Sequence, residues 1–365
     1  MVKRIVFTGS HGATTAMAIV QQLQKSSRCD WQIAWIGSKR PVEGIKKTPF
    51  ESSIFPGMNV DYFSIDSGRA QIKFSLWTIP ALLKMPRGLV QALLLLRKLK
   101  PDLVFSVGGS AGFLVSLAAK IMGIRVYVHE QTSVAGRANL ATARFADKVL
   151  ISRKTSFGFF PRRKTLLVGN PVRESIKKIE HKSVLSNPPV LLVLGGSRGA
   201  RVVNHCIEPI LANILEKAVL IHQTGPVEVG RFAALKEKLP PKLRQRYQVH
   251  GFIKALDEYY KTSDIVVSRS GANIVSELLI LKKPSILIPI PWSHNNEQYK
   301  NAKLAADSGI AVVLDQANLT PAVLLAKIMQ VYKDWPKMIL SPTSTYAQDD
   351  SAAAQRICEI INNSF

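Results

Sequence analysis

The sequence predicts an α/β protein made of two Rossmann-like domains, each with a parallel β-sheet. Three observations support this prediction. The chain has 365 residues, which is more than one hydrophobic core normally covers. Apolar segments of strand length alternate with helix-length segments almost throughout, as in parallel sheets with right-handed crossovers. The alternation restarts after a basic, proline-containing stretch, which indicates a second sheet.

The first series of predicted strands contains near-continuous runs of Val, Ile and Leu, which are typical of strands buried on both faces. A helix is predicted over Ala13–Lys25, directly after the first strand. The strand segments of this series are RIVFT, WQIAWIG, DLVFSV, RVYVH and KVLIS.

The second series begins after residues 164–189, where we place the boundary between the domains. Helices are predicted here over 201–215 and 297–308, with a last helix over 352–362. The strand segments are VLLVLGG, AVLIHQ, YQVHGF, DIVVSR, SILIPI and AVVLD. We assign 1–167 to a first domain and 168–345 to a second. Residues 346–365 form a C-terminal helix that we expect to pack back on the first domain.

The cysteines favour a reducing, cytosolic compartment. Cys29, Cys206 and Cys358 are widely separated and form no Cys-x-x-Cys pair, so neither a disulfide framework nor a zinc ribbon is indicated. We expect no secretory signal and no membrane span, because the apolar runs are short or interrupted by glycine and lysine. The formal net charge of +24 indicates an anionic partner: nucleic acid, an acidic membrane surface or a phosphorylated substrate.

Three glycine-containing loops follow predicted strands: FTGSHGA, VGGSAGF and LGGSRGA. Glycine lets the backbone approach a ligand, and a helix that starts immediately afterwards offers N–H groups and a positive dipole end to phosphate. None of the loops matches the dinucleotide fingerprint or the P-loop, which disfavours NAD enzymes and P-loop ATPases. Any one of them can also be a simple turn between strand and helix.

Glu277, in RSGANIVSE, stands within the first two turns of a predicted helix after such a loop. It either accepts hydrogen bonds from two ribose hydroxyls, or it is a capping or dipole partner of its own helix. Arg173, in GNPVRES, either reaches the diphosphate of the same nucleotide or is a solvated surface group. The chain contains no Asp-x-Asp pair, so we expect dipoles and arginine, rather than a metal, to meet the diphosphate charge.

Several of these motifs together resemble the MurG family of bacterial glycosyltransferases. That family adds N-acetylglucosamine to lipid-linked muramoyl-pentapeptide. The first half of the chain resembles it more loosely, through VGGSAGF and VHEQTSVAGRAN. The resemblance implies the GT-B architecture, in which two Rossmann-like domains face a cleft, and an inverting transfer from UDP-N-acetylglucosamine. The motifs of the second half, in order, are GNPVRES, LGGSRGAR, HQTG, SRSGANIVSE and NNEQYKNA.

The resemblance implies a donor site in the second domain. It implies no cofactor for donor binding and leaves open whether a divalent cation such as Mg²⁺ stimulates the reaction. The implied contacts are Arg173 and Ser197 with the diphosphate, the backbone of Ile253 with uracil, the helix start at Ala272, Asn273 and Ile274, Glu277 with the ribose hydroxyls, and Glu297 and Gln298 with the sugar hydroxyls.

The resemblance also implies an acceptor side in the first domain, which includes a His-Glu-Gln segment near the acceptor. Glu130 of that segment is a second catalytic candidate. Thr132 stands where the family usually has Asn, and Ser110 where it usually has Tyr. The acceptor-side residues are Gly9, Ser10, Gly12, Gly108, Gly109, Ser110, His129, Gln131 and Thr132.

His11 is the candidate base that takes the proton from the attacking hydroxyl, since histidine titrates near neutrality. A gapless match anchored on the following helix puts Gly12 opposite the family histidine, and a one-residue insertion or deletion restores His11. Because loops tolerate such changes better than helices do, we favour His11. The alternative is a capping or solvated histidine.

A basic and apolar segment in the first domain predicts contact with an anionic membrane, and we expect the protein at the cytoplasmic face of the bacterial inner membrane, bound peripherally. Large apolar groups interleaved with basic ones suit interfacial insertion. Alternatively, the apolar residues form ordinary core with lysines at its rim. The residues are Lys73, Phe74, Leu76, Trp77, Ile79, Leu82, Leu83, Lys84, Met85 and Arg87.

Three other functions share some of these sequence features. Nucleic-acid binding is disfavoured, because no helix-turn-helix, RNA-binding sheet motif or zinc module occurs. A related UDP-sugar enzyme, with another lipid acceptor or a 2-epimerase activity, shares the architecture; the epimerase requires catalytic carboxylates and no lipid-facing patch. A UDP-sugar-binding protein that has lost catalysis also fits, since the first loop departs from the family pattern.

Overall fold

The computed structural model describes residues 2–10, 12–25, 30–39, 49–68, 78–195, 200–341 and 343–365, without the side chains of 78–83. The chain divides into two compact units. Unit 1 comprises Met1–Glu174 and Asp349–Phe365, and unit 2 comprises Ser175–Gln348. Within the described ranges, no helix has the length and apolar character needed to cross a membrane.

Unit 1 contains a seven-stranded parallel sheet in the order β3-β2-β1-β4-β5-β6-β7. Its strands are β1 Val2–Gly9, β2 Asp30–Ser38, β3 Asp61–Ile65, β4 Leu103–Ser106, β5 Arg125–Glu130, β6 Lys148–Ile151 and β7 Thr165–Leu167. Its helices before the unit boundary are α1 Ala13–Lys25, α2 Phe50–Ile54, α3 Thr78–Leu99, α4 Gly109–Ile121 and α5 Arg137–Ala143. Short 3-10 helices lie at Pro56–Met58, Lys154–Phe159 and Arg162–Lys164.

Helices cover both faces of this sheet, because successive strand residues point to opposite sides. In β1, Ile5 and Phe7 belong to one buried cluster and Val6 to another. The first cluster also holds residues of α1 and of the C-terminal helix, whose Cys358 Sγ lies 3.7 Å from the carbonyl oxygen of Ile19. The second cluster holds residues of α3 and α4. The last helix therefore completes the core of the first sheet.

Unit 2 contains a six-stranded parallel sheet in the order β10-β9-β8-β11-β12-β13. The strands are β8 Val190–Leu194, β9 Val219–Gln223, β10 Tyr247–His250, β11 Ile265–Ser268, β12 Ser285–Leu287 and β13 Ala311–Val313. The remaining helices of the chain are α6 Glu174–Lys177, α7 Arg201–Ile207, α8 Leu211–Lys217, α9 Val229–Glu237, α10 Pro241–Arg244, α11 Leu256–Thr262, α12 Ala272–Leu281, α13 Glu297–Asp307, α14 Pro321–Ile339 and α15 Thr345–Asn362. Further 3-10 helices lie at Glu208–Ile210, His294–Asn296 and Gln316–Asn318.

Every strand predicted from the sequence is present, and two further strands were missed. β3 and β7 are the two edges of the first sheet. Edge strands are buried less completely, and β3 has only its last residue fully buried. They therefore lack the continuous apolar run that identifies a central strand.

The prediction of one helix over 201–215 was wrong. The structure has α7, then a 3-10 turn at Glu208–Ile210, then α8. Pro209 lies inside this turn. Proline has no backbone N–H and its ring crowds the preceding turn, so it breaks the α-helical ladder at this point.

Candidate functional site

Each sheet has a point where the chain reverses its direction of travel across the strand order. This point lies between β1 and β4 in unit 1 and between β8 and β11 in unit 2. In open parallel sheets, ligands bind beyond the carboxyl ends of the strands at such a point. The loops after these four strands are the three glycine loops of the sequence and the segment before α12. In unit 1 the fold therefore brings two glycine loops to the same edge of the sheet. In unit 2, residues 196–199 of LGGSRGA lie outside the described residues.

In unit 2, the start of α12 is built to present backbone N–H groups. Its N-cap is Gly271, which has no side chain to cap the helix, and it is in the extended conformation. The first-turn residues Ala272, Asn273 and Ile274 are each partly exposed. The first N–H groups of any helix have no carbonyl partner within the helix, so this terminus suits an anion.

Glu277 lies at the sixth position of α12 and is only 5% exposed. The hydroxyl of Tyr260, from α11, donates a 3.0 Å hydrogen bond to its Oε2 atom. A capping carboxylate would stand at the third helical position, which is Ile274 here. The capping interpretation of Glu277 therefore does not fit the helix register.

Hydrogen bonds that involve three side chains hold the loop before α12. Ser270 Oγ donates to the carbonyl oxygen of Gln298 at 2.8 Å, and Asn301 Nδ2 donates to the carbonyl oxygen of Ser270 at 3.2 Å. The guanidinium of Arg269 donates to Ile288 O at 3.1 Å and to the side-chain oxygen of Gln316 at 2.8 Å. The start of α12 and the α13 region are thus held in one arrangement.

Gln298 is oriented by two further bonds. Its side-chain Oε1 accepts the N–H of Ile290 at 3.1 Å, and its own N–H donates to Ser293 Oγ at 3.3 Å. The Nε2 group has no protein partner within the described chain and can donate to a sugar hydroxyl. Asn295 and Asn296, just before Glu297, both have left-handed backbone conformations, with φ of 48° and 54°. Such strained positions are typical of functional sites.

The other predicted donor contacts are placed less completely. Ile253 is buried, and its N–H donates to Gln223 Oε1 at 3.1 Å. The Ile253 N–H is therefore already engaged within unit 2. Arg173 is partly exposed and belongs to the end of unit 1. Ser197 lies outside the described residues.

In unit 1, four serines form a hydroxyl cluster, which we call the serine cluster: Ser10, Ser38, Ser67 and Ser110. Ser10 Oγ lies 3.0 Å from Ser38 Oγ and 3.3 Å from Ser110 Oγ, and Ser38 Oγ lies 2.8 Å from Ser67 Oγ. The Ser10 hydroxyl also accepts the N–H of Ala111 at 3.1 Å, in the first turn of α4. The sequence identified Ser10 and Ser110; Ser38 and Ser67 carry no motif and were missed.

Glycine is required where the two loops of unit 1 meet. Gly109 has φ of +80°, and a Cβ there would lie 2.6 Å from the Cβ of Ser10. Gly12 has φ of +111°, and a Cβ there would lie 2.5 Å from Gln131 Nε2. Gly108 also has positive φ, and Gly9 ends β1. The glycines therefore permit close packing of these loops. His11, the candidate base, lies outside the described residues.

Glu130 is buried and holds the loop that follows it. Its Oε1 accepts from the N–H and hydroxyl of Thr132 at 3.1 and 2.9 Å, and its Oε2 accepts from Gly136 N and Asn139 Nδ2, both at 2.9 Å. Burial raises the pKa of Glu130, while these bonds oppose the rise. Four donors on one carboxylate favour a role in fixing the loop over a role in proton transfer.

His129 is fully buried, so it exposes no surface to an acceptor. Its Nε2 lies 3.1 Å from the carbonyl oxygen of Gly169 and 3.3 Å from Ser152 Oγ. Burial lowers the pKa of His129 to about 4, and the nearby Arg153 charge adds to this. Of the His-Glu-Gln segment, Gln131 alone is partly exposed, and its Nε2 lies 3.4 Å from Val107 O.

The predicted membrane segment is only partly described. Lys73, Phe74, Leu76 and Trp77 lie outside the described residues, as do the side chains of Ile79, Leu82 and Leu83. Lys84 is partly exposed, Met85 packs against the core, and Arg87 is exposed, 3.4 Å from an Asp66 oxygen. Met85 thus follows the alternative interpretation, as part of the core.

Further along α3, Val90 and Leu94 are 54% and 64% exposed, beside the exposed Arg97 and Lys98. Together with Arg87 these residues recur at helical spacing on the solvent side of the helix, and we call this set the α3 outer face. The predicted membrane segment extends to the end of this helix, but the residues named from it ended at Arg87.

Comparison with known proteins identifies the family. Residues 8–151 match the N-terminal domain of glycosyltransferase family 28, and residues 190–357 match its C-terminal domain. A Bacillus cereus UDP-N-acetylglucosamine–N-acetylmuramyl-(pentapeptide) pyrophosphoryl-undecaprenol N-acetylglucosamine transferase is 32% identical, over 90% of this chain and 91% of its own. The corresponding transferase of Actinobacillus pleuropneumoniae is 30% identical over 98% of both chains.

Solved structures agree on the fold. The crystal structure of Acinetobacter baumannii MurG matches with a TM-score of 0.71 and 25% identity, over 99% of both chains. A Neisseria meningitidis UDP-GlcNAc 2-epimerase bound to UDP-GlcNAc matches with a TM-score of 0.64 at 15% identity, over the whole of both chains, and shows likeness of fold alone.

The predicted α/β fold with two Rossmann-like, parallel-sheet domains is confirmed. So is the prediction of a UDP-N-acetylglucosamine-dependent glycosyltransferase. The chain belongs to glycosyltransferase family 28 and, within it, to the UDP-N-acetylglucosamine–N-acetylmuramyl-(pentapeptide) pyrophosphoryl-undecaprenol N-acetylglucosamine transferases.

Proposed function

We propose that this chain transfers N-acetylglucosamine from UDP-N-acetylglucosamine to the C4 hydroxyl of a muramoyl-pentapeptide carried on undecaprenyl diphosphate, the step from lipid I to lipid II in peptidoglycan synthesis. The observation that carries the proposal is the arrangement around α12. An uncapped helix start, a buried carboxylate at Glu277 and the oriented amide of Gln298 lie on elements tied by Ser270 and Asn301.

Each of these groups has a role in the proposed donor complex. The N–H groups at Ala272, Asn273 and Ile274 face the diphosphate, and the carboxylate of Glu277 accepts from the ribose hydroxyls. Gln298 donates to a sugar hydroxyl, with Glu297 beside it at the start of α13. Arg173 and Ser197 add contacts to the diphosphate, and Ile253 contacts uracil through its backbone.

The reaction is a single displacement with inversion. The acceptor oxygen bonds to the anomeric carbon, the bond from that carbon to the UDP oxygen breaks, and the acceptor proton passes to a base. Negative charge grows on the diphosphate as UDP leaves. Fixed N–H dipoles stabilise such a charge without reorganising, which is an effective form of electrostatic catalysis.

Unit 1 supplies the acceptor side in this proposal, with His11 as the base. A positioned base contributes about 10²- to 10⁴-fold to the rate. The hydroxyls of Ser10 and Ser110, with Gln131 and the open backbone at Gly108 and Gly109, form the polar edge that meets the acceptor. Glu130 acts by holding the loop over 130–139.

We propose that donor binding needs no metal ion. Within the described residues, no three His, Cys, Asp or Glu side chains come together as a metal site. The sequence also lacks an Asp-x-Asp pair. Equal UDP affinity in EDTA and in Mg²⁺ is expected; a large loss of affinity in EDTA would contradict this. If Mg²⁺ raises turnover while the affinity for UDP is unchanged, the metal ion acts at a step after donor binding.

We propose that the protein binds peripherally at the cytoplasmic face of the inner membrane, through the predicted segment and the α3 outer face. Exposed apolar groups beside Arg97 and Lys98 suit an anionic surface, where each basic residue contributes about 1 kcal/mol. In sedimentation with phosphatidylglycerol vesicles, Leu94→Glu should weaken binding several-fold. The control, Val184→Glu, alters an exposed apolar residue of unit 2 and should bind as wild type does.

The transfer itself is tested with purified protein, UDP-N-acetylglucosamine and lipid-linked muramoyl-pentapeptide in detergent. We expect one UDP released for each disaccharide-lipid formed. UDP binding without transfer would point to a protein that has lost catalysis. An epimerised UDP-sugar formed without acceptor would point to the 2-epimerase activity, and transfer to a different lipid would change the acceptor.

A further inference from the structure

Tyr260 is a buried polar residue that no motif of the sequence identifies. Its side chain has no exposed surface, yet its hydroxyl donates at 3.0 Å to Glu277 Oε2. A tyrosine in an amphipathic helix ordinarily contributes ring area to the core. Here the hydroxyl meets the carboxylate that the donor site uses.

The two helices that carry this pair are also joined at a second place. Lys283, just after α12, is buried and donates from Nζ to the carbonyl oxygen of Ser263 at 2.7 Å. Ser263 directly follows α11, and its own hydroxyl lies 3.3 Å from the Tyr260 carbonyl. Because α11 and α12 are tied near their ends, the Tyr260 hydroxyl cannot drift away from Glu277 without disturbing both helices.

The bond constrains Glu277 in a way that burial alone does not. A glutamate side chain has three rotatable bonds, so its carboxylate can be oriented in several directions unless a partner selects one. A phenol that donates to one oxygen selects one orientation. A carboxylate offers about four acceptor positions, so it can accept from this phenol and from other donors at once.

We propose that Tyr260 is a positioning residue that sets the preference of the donor site for a ribose over a 2′-deoxyribose. This inference rests on the proposed function, in which Glu277 accepts from the ribose hydroxyls. Tyr260 itself does not touch the substrate. It holds the carboxylate in the orientation that two adjacent hydroxyls require, and a mobile carboxylate would lose the benefit of the second hydroxyl.

The test compares the affinities of UDP and 2′-deoxy-UDP, measured by calorimetry on the full-length protein. Wild type should bind UDP at least about tenfold more tightly than 2′-deoxy-UDP, as expected for the loss of one hydrogen bond to a charged acceptor. Tyr260→Phe should reduce that ratio at least about threefold, mainly through weaker UDP binding. The KM for UDP-N-acetylglucosamine should rise, while kcat stays within about twofold, because the uniform binding of ground and transition states is what changes.

Tyr247→Phe is the matched control. Tyr247 is equally buried in the same unit, and its hydroxyl lies 3.0 Å from His222 Nδ1 rather than near Glu277. Its loss should lower the melting temperature and leave the UDP to 2′-deoxy-UDP ratio unchanged. Tyr260→Met removes the hydroxyl with a different apolar side chain and should lower the ratio as Phe does. Retained 2′-deoxy-UDP binding shows that the variants are folded.

The outcomes separate the two proposals. If wild type binds neither nucleotide, or does not distinguish them, the assignment of Glu277 to the ribose fails and the proposed donor site with it. If wild type distinguishes them and both Tyr260 variants keep the full ratio, the donor site stands and the positioning role of Tyr260 is overturned. An equal reduction of the affinity ratio in Tyr247→Phe would also overturn the positioning role, because the effect would then come from a general loss of stability of unit 2.

Discussion

The two units carry similar loops at their reversal points but satisfy the polar groups there in different ways. In unit 1, the hydroxyls of Ser10, Ser38, Ser67 and Ser110 bond to one another, and Glu130 accepts four donors from its own loop. In unit 2, the bonds hold the loop from outside, and the start of α12 is uncapped.

The polar groups of unit 1 can change their hydrogen-bond partners, whereas those at the start of α12 in unit 2 have a fixed direction. A hydroxyl can donate or accept and rotates to suit its neighbours, so the serine cluster can rearrange around a new partner. Backbone N–H groups at a helix start cannot rotate and point at one place. This difference is consistent with the proposed division of roles, in which unit 2 binds the nucleoside diphosphate and unit 1 meets the acceptor.

The largest expected effect tests α12 of unit 2. Glu277→Ala removes the acceptor for two ribose hydroxyls, each bond to a charged group being worth about 1.5–3 kcal/mol. UDP affinity should therefore fall about 10²- to 10⁴-fold, as measured by calorimetry. The control is Glu237→Ala, an exposed glutamate of α9 that pairs with Arg244. A tenfold or smaller loss at Glu277 would return it to a structural role.

The next prediction concerns the other unit and a different kinetic constant. His11→Ala should lower kcat about 10²-fold or more, because it removes the base, and should leave UDP affinity within about twofold. Single-turnover kinetics together with a UDP titration measure both quantities. Wild-type turnover in this variant would exclude His11 as the base. An equal loss of UDP affinity would contradict the division of roles between the units.

A third prediction sharpens the comparison through stability. Asp350 on α15 is fully buried and accepts from Nη1 and Nη2 of the Arg153 guanidinium, at 2.6 and 2.8 Å. Asp350→Asn leaves that buried cation without its carboxylate, which typically costs about 3–5 kcal/mol. Hydrogen exchange should show faster opening of unit 1, with UDP affinity unchanged.

The neighbouring residue provides the control. Asp349 pairs with Arg356 at 2.8 Å on a more exposed surface, where such pairs contribute about 1 kcal/mol or less. Asp349→Asn should therefore leave exchange in unit 1 nearly unchanged. Comparable losses in the two variants would mean that the buried pair is not the main tie between α15 and the first sheet.

The smallest effect compares one buried histidine in each unit. Burial lowers the pKa of His129 to about 4 and that of His222 to about 3, from an ordinary value of 6.5. Both rings are neutral in the folded protein, whereas in the unfolded chain they gain a proton below pH 6.5. The folded state is therefore at its full stability above pH 6.5 and loses stability as the pH falls towards the folded pKa values. At pH 5, each histidine should lower the free energy of unfolding by about 2 kcal/mol. Opening free energies, calculated from exchange rates corrected for the pH dependence of intrinsic exchange, that do not change between pH 7 and pH 5 in either unit would contradict this.

The central architecture could be predicted from the sequence because its signals are local. Buried parallel strands such as β1 and β8 are continuous apolar runs, and the helix Ala13–Lys25 has the predicted bounds. The edge strand β7 has three residues, and no local pattern separates it from a loop. The break between α7 and α8 does have a local signal, since Pro209 lies inside the 3-10 turn that separates them.

At the donor site, motif residues could be named but their partners could not. The motifs SRSGANIVSE and NNEQYKNA identify Glu277 and Gln298, because each motif is a short continuous segment that can be read directly from the sequence. Tyr260 lies 17 residues from Glu277, and Ser270 lies 28 residues from Gln298. These bonds depend on how helices pack, which local patterns do not encode.

The sequence by itself determined the fold class, the family and the residue types that a nucleotide sugar needs, because glycine loops, apolar periodicity and motif spacing are properties of short segments. Only the tertiary structure decided which polar residues are satisfied internally. It placed His129 and Glu130 inside unit 1, joined Ser38 and Ser67 to Ser10, and set Tyr260 against Glu277. The physical reason is that a hydrogen bond needs its two atoms within about 3 Å, and residues distant in sequence reach that distance only when the sheets and helices have packed.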